Sequence, residues 1–434
     1  MLGGGRDADD GLCSTSIADE FKIFFCRLFR NQLICFEKIK YFLDVTIAYS
    51  TFLAMATFIH HDLELLNPSF DSPLLNVLLD LEHLRRLTIS GSTPPPVFYE
   101  LKHVFHLLES LASARIEGNH TTLADYLDAS ESQPDRSDQL NEIRNIEEAM
   151  RFIDDAVIHG APLTEYTIRQ LHEITVKGLE REGDRNPGAY RMRPIAISQS
   201  DHLPPDHTTV PAYMQELFQL INAEHDSKYD LMKVALAHHR FAWVHPFGNG
   251  NGRVVRLLTY AMLIKYGFKV NGAGRLLNPA AVFCADREKY YYMLSRADTG
   301  TAEGLEEWCT YVLTGVRDEM EKIRKLTDYA YLSRSVLIPA IEYATERQNI
   351  RADEAKALKL AVAKMEVKSG DLAEAMPGLN AGQRTYQIRK WLDAGLLQPT
   401  HDGSRSYVLG MRNRFLLRGV IAALTKEGFI PDSL

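Results

Sequence analysis

The twelve residues HPFGNGNGRVVR, from His245 to Arg256, combine basic side chains with glycines in an order that suits anion binding. Gly250 and Gly252 allow backbone conformations that turn successive N–H groups toward one concave site, and a helix beginning there adds its positive dipole end. Arg253 and Arg256 lie three residues apart, so their guanidinium groups project from neighbouring helical positions toward more than one phosphate. The stretch predicts a site for a triphosphate.

His245 lies at the edge of this predicted anion site. A histidine suits proton abstraction there because its ordinary pKa lies close to neutral pH. The preceding residues, ALAHHRFAWV, form a predicted helix whose apolar side chains would hold the turn rigidly. Pro246 and Phe247 are interpreted as structural, with Phe247 packed into the core.

Asn249 is the position where a magnesium-bound nucleotide would be served better by a carboxylate. Magnesium prefers charged oxygen ligands and usually takes one or two carboxylates beside the nucleotide phosphates. An amide oxygen is a neutral and weaker ligand. We therefore expect Asn249 to be a weak metal ligand, with catalysis that needs more Mg²⁺ or depends on Mn²⁺.

The elements that position these residues are predicted to be mostly helical. Apolar residues recur at spacings of three and four between residues 78 and 325, which predicts an all-α core. Pro-Gly followed by alternating β-branched residues predicts a small β-hairpin flap over 186–198. Residues 354–410 predict a winged helix-turn-helix, with a two-stranded wing whose tip is Asp402-Gly403. The predicted domains are an uncertain N-terminal extension, a helical region, a catalytic core, and a helical linker with the winged helix, over residues 1–55, 56–145, 146–325 and 326–434.

Composition limits the class of protein. The chain has 434 residues and a net charge of −8, which argues against a protein that coats nucleic acid or anionic membrane along its whole length. Its five cysteines show no close pairs, and no secretory signal is evident, so we expect a reducing, cytoplasmic compartment. The apolar stretch 41–59 is interrupted by Asp44, which argues against a membrane helix.

The stretch from His245 to Arg256 resembles the signature of the Fic family, His-Pro-Phe-x-Asp/Glu-Gly-Asn-Gly-Arg-x-x-Arg, at every fixed position except Asn249. The resemblance implies transfer of AMP from ATP to a hydroxyl of a target protein, with release of pyrophosphate. It also implies that His245 deprotonates the target hydroxyl. The implied ATP contacts are the phosphate loop Gly250, Asn251 and Gly252, and the β- and γ-phosphate ligands Arg253 and Arg256.

The sequence SARIEG, Ser113 to Gly118, is similar to the inhibitory motif found upstream of the core in self-inhibited members of the family. The resemblance implies that Glu117 pairs with Arg256. A carboxylate on Arg256 takes the partner that a γ-phosphate needs, so ATP would bind poorly or with its α-phosphate misaligned.

Two further stretches resemble parts of the Fic family. Residues 186–198 are similar to the flap that docks target side chains by strand addition. The sequence REKYYYML is similar to the adenosine-pocket segment, where Tyr290 and Tyr291 are the candidates, although both could equally be core aromatics. The predicted docking residues of the flap are Arg193, Pro194, Ile195, Ala196 and Ile197.

Two other functions stay open on the sequence. Glu117 could orient a water molecule, so the same site could remove AMP from a modified protein. Alternatively, the Fic core could only sense a nucleotide while the winged helix binds DNA through Arg384, Arg389 and Lys390. The winged helix could instead be an interaction or homodimer module. The target protein is not indicated, and the choice of ATP comes from the resemblance alone.

Overall fold

The computed structural model describes residues 58–86, 91–132, 137–197, 200–268 and 279–430. The predicted N-terminal extension, residues 1–55, and nearly all of the apolar stretch 41–59 lie outside these residues. Within the described ranges, no helix is long and apolar enough to cross a bilayer.

The described residues are mainly helical, which confirms the all-α prediction. The helices that precede the glycine-rich stretch are α1 Pro73–Arg86, α2 Pro95–Ile116, α3 Leu123–Ser132, α4 Asp138–Ala156, α5 Glu165–Val176 and α6 Val210–Asn222. The helices that flank and follow it are α7 Asp230–Val244, α8 Asn251–Lys265, α9 Pro279–Cys284, α10 Arg287–Asp298 and α11 Ala302–Leu326.

Helices α7 and α8 form the centre of the core and pack against each other. Their apolar residues are buried on almost every side, including Phe241 and Leu258, because α2, α4, α5, α6 and α11 surround them. The indole N–H of Trp308 on α11 donates to the carbonyl of Ala235 on α7 at 2.7 Å. A helix apolar all round must be enclosed in this way, so the stretch between α7 and α8 emerges from a rigid base.

The C-terminal part, described here over residues 329–430, contains five α-helices in that range. They are α12 Tyr329–Leu332, which continues through a π-helical turn Ser333–Leu337 into α13 Ile338–Glu346, then α14 Ala352–Lys364, α15 Ala381–Asp393 and α16 Arg414–Lys426. A 3₁₀ turn spans Asp371–Ala375 between α14 and α15. Helix α16 packs along α13.

A small antiparallel sheet of order β1-β3-β2 accompanies these helices. Its strands are β1 Val367–Lys368, β2 Leu397–Pro399 and β3 Ser406–Leu409. The antiparallel β2–β3 pair, with Leu397 opposite Leu409, lies where the sequence predicts two strands joined at Asp402-Gly403. Gly403 at its tip has a φ of +75°, a conformation that favours glycine. Strand β1 was not predicted, because two residues are too short to show a periodic pattern.

The predicted β-hairpin over residues 186–198 is wrong for the part that is described. Residues 186–197 are turns and extended segments and contain no strand. Their backbone groups bond to the core instead: the N–H of Arg191 donates to the carbonyl of Pro246 at 2.8 Å. Pro194 in addition lacks the N–H that a strand ladder needs.

The C-terminal part contacts helix α2 directly. The buried carboxylate of Glu100, near the start of α2, accepts from the backbone N–H of Met411 at 2.9 Å and from Nε of Arg412 at 3.3 Å. A buried carboxylate without such donors would be costly. These bonds therefore fix the residues after β3 on the helix that ends at Ile116.

The contact between α16 and α13 gives a test of the packing. A Cβ added at Gly419 would lie 2.5 Å from the carbonyl oxygen of Ala340, a backbone atom that cannot move alone. We expect Gly419→Ala to lower the free energy of unfolding by about 1–3 kcal/mol, despite the better helix propensity of alanine. Thermal unfolding followed by circular dichroism measures this. Gly382→Ala, whose new Cβ has only the Asn380 side chain nearby, is the matched control, and equal melting temperatures for the two variants would contradict the packing.

Candidate active site

The stretch between α7 and α8 is a closed loop held by its own side chains. Helix α7 ends at Val244, and His245 then takes a left-handed conformation with a φ of +50°. Gly250, with a φ of +76°, starts α8. The side chain of Asn251 bridges the loop, because Oδ1 accepts from the N–H of Phe247 at 3.0 Å and Nδ2 donates to its carbonyl at 2.9 Å. Asn251 therefore shapes the loop rather than presenting its side chain to a ligand.

His172 on α5 contacts the same loop through ring stacking and hydrogen bonds. Its ring stacks on Phe247 with centroids 3.8 Å apart and planes at 3°. Its Nε2 donates to the carbonyl of Asn249 at 3.1 Å, and its Nδ1 accepts from the N–H of Gly188 at 2.9 Å. Burial lowers the pKa of His172 to about 4, so the ring is neutral near pH 7, as this pattern of one donor and one acceptor requires.

His245 has the protonation state that a general base needs. Its Nδ1 donates to the carbonyl of Ala242 at 3.2 Å, which requires the proton on Nδ1 and leaves a lone pair on Nε2. Burial lowers the pKa of His245 to about 4, so the ring is unprotonated near pH 7. Arg191 fixes the backbone at this point, because its Nε donates to the carbonyl of His245 at 2.9 Å.

Arg256 is paired as the sequence predicted. One of its terminal nitrogens donates to Oε1 of Glu117 at 2.8 Å and to the carbonyl of Ser113 at 2.9 Å, and its Nε donates to the Ser113 hydroxyl at 2.9 Å. Arg256 is only 1% exposed, whereas Glu117 is 27% exposed. Burial raises and Arg256 lowers the pKa of Glu117, with a net shift downward, so the pair is ionised near pH 7. Gly118, with a φ of +94°, turns the chain away behind Glu117.

Gly252 is the residue that lets this pair lie over the loop. A Cβ at Gly252 would be 2.2 Å from Oε1 of Glu117 and 3.3 Å from a terminal nitrogen of Arg256. The Glu117 carboxylate is therefore seated on the glycine-rich turn itself. An anion bound by this turn and by Arg256 would occupy the same space.

Arg253 points away from Arg256, toward the interior. Its guanidinium lies 3.0 Å from Oε1 of Glu142 on α4, with both side chains almost fully buried. It also donates to the carbonyl of Glu182 at 2.7 Å. Burial raises the pKa of Glu142, and Arg253 acts against that shift. The ion pair between Arg253 and Glu142 joins α8 to α4. To contact a phosphate as predicted, the Arg253 guanidinium would have to bind it in addition to these two partners.

Tyr290 and Tyr291 have different environments. Tyr290 is 3% exposed, and its hydroxyl bonds Nε2 of His238 at 2.9 Å, while Nδ1 of His238 bonds the hydroxyl of Thr259 at 2.7 Å. Tyr291 is 39% exposed and lies 5.3 Å from the Tyr290 ring, with Arg287 beside it. Tyr290 is thus a core residue, and of the two candidates Tyr291 is the one with an open ring.

The predicted docking segment lies close to His245 through Arg191, which bonds both the carbonyl of His245 and that of Arg193. It has no regular secondary structure. Its exposed residues are Arg193, Pro194 and Ala196, and its half-buried residues are Ile195 and Ile197.

Two side chains at the loop carry oxygen atoms that could bind a metal ion. Oδ1 of Asn249 accepts from the N–H of Gly250 at 2.7 Å. Oδ2 of Asp184 accepts from the N–H of Asn249 at 3.0 Å. No group of three or more His, Cys, Asp or Glu residues suited to a metal occurs among the described residues. One carboxylate and one amide fit an ion such as Mg²⁺ only if phosphate oxygens complete its ligands.

Sequence reasoning missed Asp184, His172 and Glu142. None belongs to a recognisable motif, and each reaches the site from a different element of the chain. The turn that contains Asp184, in GDRNPG, could be predicted from its glycine and proline. Its position against the loop required the structure.

Comparison with known proteins agrees with this geometry. Residues 162–263 match the model of the Fic/DOC family. Protein adenylyltransferase Fic of Drosophila virilis is 29% identical over 205 residues, covering 46% of this chain and 38% of the relative. The Drosophila melanogaster protein of the same name is also 29% identical, covering 46% and 37%. The chain spans less than two fifths of the length of these curated relatives.

Two solved structures also align with parts of this chain. A Fic family protein from Desulfovibrio desulfuricans aligns with a TM-score of 0.48 and 20% identity, covering 79% of this chain and 97% of that one. A Fic domain-containing signalling protein from Bacteroides thetaiotaomicron aligns with a TM-score of 0.46 and 21% identity, covering 59% and 98%. On the family match and on the loop from His245 to Arg256, the chain carries a Fic/DOC domain over residues 162–263.

Proposed function

We propose that this chain is a protein adenylyltransferase that transfers AMP from ATP to a hydroxyl side chain of a target protein, and that Glu117 inhibits it. The curated relatives with this activity in their names support the reaction class. The observation that carries the proposal is the neutral His245 beside a glycine-rich turn whose buried Arg256 is occupied by Glu117.

The proposed reaction is an in-line displacement at the α-phosphorus of ATP. The hydroxyl oxygen of the target forms the new bond to this phosphorus, and the bond to the oxygen that bridges the α- and β-phosphates breaks. Pyrophosphate leaves with the bonding electrons. Nε2 of His245 takes the hydroxyl proton, which the lone pair left by the bond from Nδ1 to Ala242 permits.

The residues around His245 position the two substrates. The N–H groups of the turn from Gly250 to Gly252, at the start of α8, would hold the phosphates. Arg256 would bind the terminal phosphates, and Tyr291 would lie beside the adenosine. A magnesium ion bound with ATP would neutralise phosphate charge, held by Asp184 and Asn249. The segment around Ile195 would align the target chain.

Inhibition would follow from competition for one guanidinium. Arg256 is 1% exposed and already makes three hydrogen bonds to Glu117 and Ser113. A triphosphate would have to displace the Glu117 carboxylate to reach it. With Glu117 in place, ATP would bind weakly or with its α-phosphate turned away from His245.

Removing Glu117 tests both parts of the proposal. We expect Glu117→Gly to label itself from α-phosphate-labelled ATP at least about tenfold more than the wild type, since one freed ligand for the γ-phosphate is worth more than about 1.4 kcal/mol. Labelling is measured by autoradiography in Mg²⁺ and in Mn²⁺.

The controls separate chemistry from inhibition. Glu117→Gly combined with His245→Ala is expected to show no label, because the general base is absent. Glu180→Gly, which removes an exposed loop carboxylate, is expected to match the wild type. Label that persists without His245 would rule out the proposed chemistry, and equal labelling of Glu117→Gly and wild type would rule out the inhibition.

The pH dependence follows from the lowered pKa of His245. The protonated ring is inactive, and its pKa of about 4 keeps it neutral well below neutral pH. We expect kcat/KM of Glu117→Gly, which reports the free enzyme, to be nearly constant from pH 7.5 to 5.5 and to fall only toward pH 4. A histidine with an ordinary pKa near 6.5 would already lose about tenfold at pH 5.5. Circular dichroism at each pH controls for unfolding.

A second candidate function, DNA binding by a winged helix, is favoured by one face of α15. Arg389 and Lys390 are exposed there, beside the exposed ring of Tyr386. If this face binds phosphates, Arg389→Ala with Lys390→Ala should reduce the salt dependence of duplex binding by about two units of slope, about one for each contact. Fluorescence anisotropy at several salt concentrations measures it. An unchanged slope would argue for a protein-interaction module instead.

A further inference from the structure

The Asp184 carboxylate lies directly on the glycine-rich loop, next to the residue that departs from the family signature. Its Oδ2 accepts from the N–H of Asn249 at 3.0 Å, and its Oδ1 accepts from the N–H of Asn186 at 2.9 Å. Each carboxylate oxygen has a further lone pair beyond the one used here. Asp184 is therefore anchored without being saturated.

Gly248 leaves room for the Asp184 carboxylate because it has no side chain. A Cβ at Gly248 would lie 2.9 Å from Oδ2 and 3.3 Å from Oδ1 of Asp184. A Cβ at this position would require the carboxylate to shift from where it lies. The loop sequence and Asp184 are thus fitted to each other, although 64 positions of chain separate Gly248 from Asp184.

The negative charge of Asp184 has no matching Lys or Arg ion pair among the described residues. Its nearest ionisable neighbour is His172, whose Nε2 is 3.6 Å from Oδ2. The His172 Nδ1 accepts from the N–H of Gly188 and its Nε2 donates to the carbonyl of Asn249, so the ring carries one proton, is neutral and does not offset the charge. The Asp184 carboxylate is therefore a negative charge held beside the loop by backbone N–H donors, and its remaining lone pairs can accept a cation there.

Asn249 offers a weaker ligand at the same point. Its side-chain oxygen is neutral and already accepts from the N–H of Gly250 at 2.7 Å. A divalent ion with nucleotide phosphates still prefers one protein carboxylate. Of Asn249 and Asp184, only Asp184 has a carboxylate.

We propose that Asp184 supplies the carboxylate charge for the divalent cation that accompanies the nucleotide, in place of an acidic residue at position 249. This inference rests on the proposed function, because it requires nucleotide at the loop. It assigns to Asp184 a metal-binding role that would compensate for Asn249.

Binding of Mn²⁺ tests the proposal without any transfer reaction. Free Mn²⁺ is measured by electron paramagnetic resonance during titration of the full chain in a saturating non-hydrolysable ATP analogue. The background is Glu117→Gly, so that Arg256 is open to the analogue. Asp184→Asn is expected to raise the Kd of Mn²⁺ about tenfold or more, while Asn249→Asp added to it is expected to restore the Kd to within about twofold.

The rescue separates charge from loop structure. Asp184→Asn keeps one oxygen that can accept from the Asn249 N–H, and Asn249→Asp restores the charge but cannot replace a lost bond to that N–H. A Kd unaffected by Asp184→Asn would overturn the proposal, and so would failure of Asn249→Asp to restore it. Melting temperatures of all variants show whether the loop remains folded.

Failure of adenylyl transfer would be visible separately. Histidine-dependent labelling of Glu117→Gly reports the transfer, whereas the Mn²⁺ titration reports only the ternary complex. A chain that binds Mn²⁺ through Asp184 but transfers nothing would retain this inference and lose the proposed function. Absence of any analogue-dependent Mn²⁺ binding in Glu117→Gly would reject the inference, whatever the labelling shows.

Discussion

A guanidinium buried in a protein must have partners, and Arg256 is that group here. It is 1% exposed in the second turn of α8, in the middle of the helical core. Removing the partner of a buried charge costs about 3–5 kcal/mol. The Glu117 carboxylate can therefore leave only when another anion replaces it or when Arg256 itself becomes hydrated. This requirement links the glycine-rich turn to the helix that carries Ser113 and Glu117.

The loop before α8 is rigid for a different reason. Several of its backbone groups are bonded to fixed side chains, namely those of Asn251, His172 and Asp184. Preorganised donors need no rearrangement when charge develops on a bound group. Hydrogen bonds also stabilise the strained backbone of His245, whose φ is positive. Nε of Arg191 donates to the His245 carbonyl, and the His245 ring donates to the carbonyl of Ala242.

Sequence patterns predicted the features that depend on residues close together in the chain. The helical core follows from apolar spacing, the turn at Gly250 from glycine, and the β2–β3 pair from the Asp402-Gly403 turn. The pairing of Glu117 with Arg256 was predicted only through the family resemblance. No spacing rule connects residues 139 positions apart.

The departures also have local causes. The flap lacks strands because Arg191 takes its backbone bonds to Pro246. Arg253 points inward because Glu142, on another helix, offers a buried carboxylate. Tyr290 bonds His238 and so belongs to the core. Each outcome depends on a partner that is distant in sequence, which is information that composition and periodicity do not contain.

Helix α2 holds a contact at each end, and this limits how Glu117 can leave Arg256. Near its start Glu100 accepts from Met411 and Arg412, and after its last turn Glu117 meets Arg256. A helix of 22 residues is about 33 Å long and moves as a rod. Rotation of the Glu117 side chain alone would leave the far contact intact. Sliding or tilting of the whole helix would instead break the bonds of Glu100 to Met411 and Arg412. Release of Glu117 by helix movement would therefore also change the contacts at the opposite end of α2, whereas release by side-chain rotation would not.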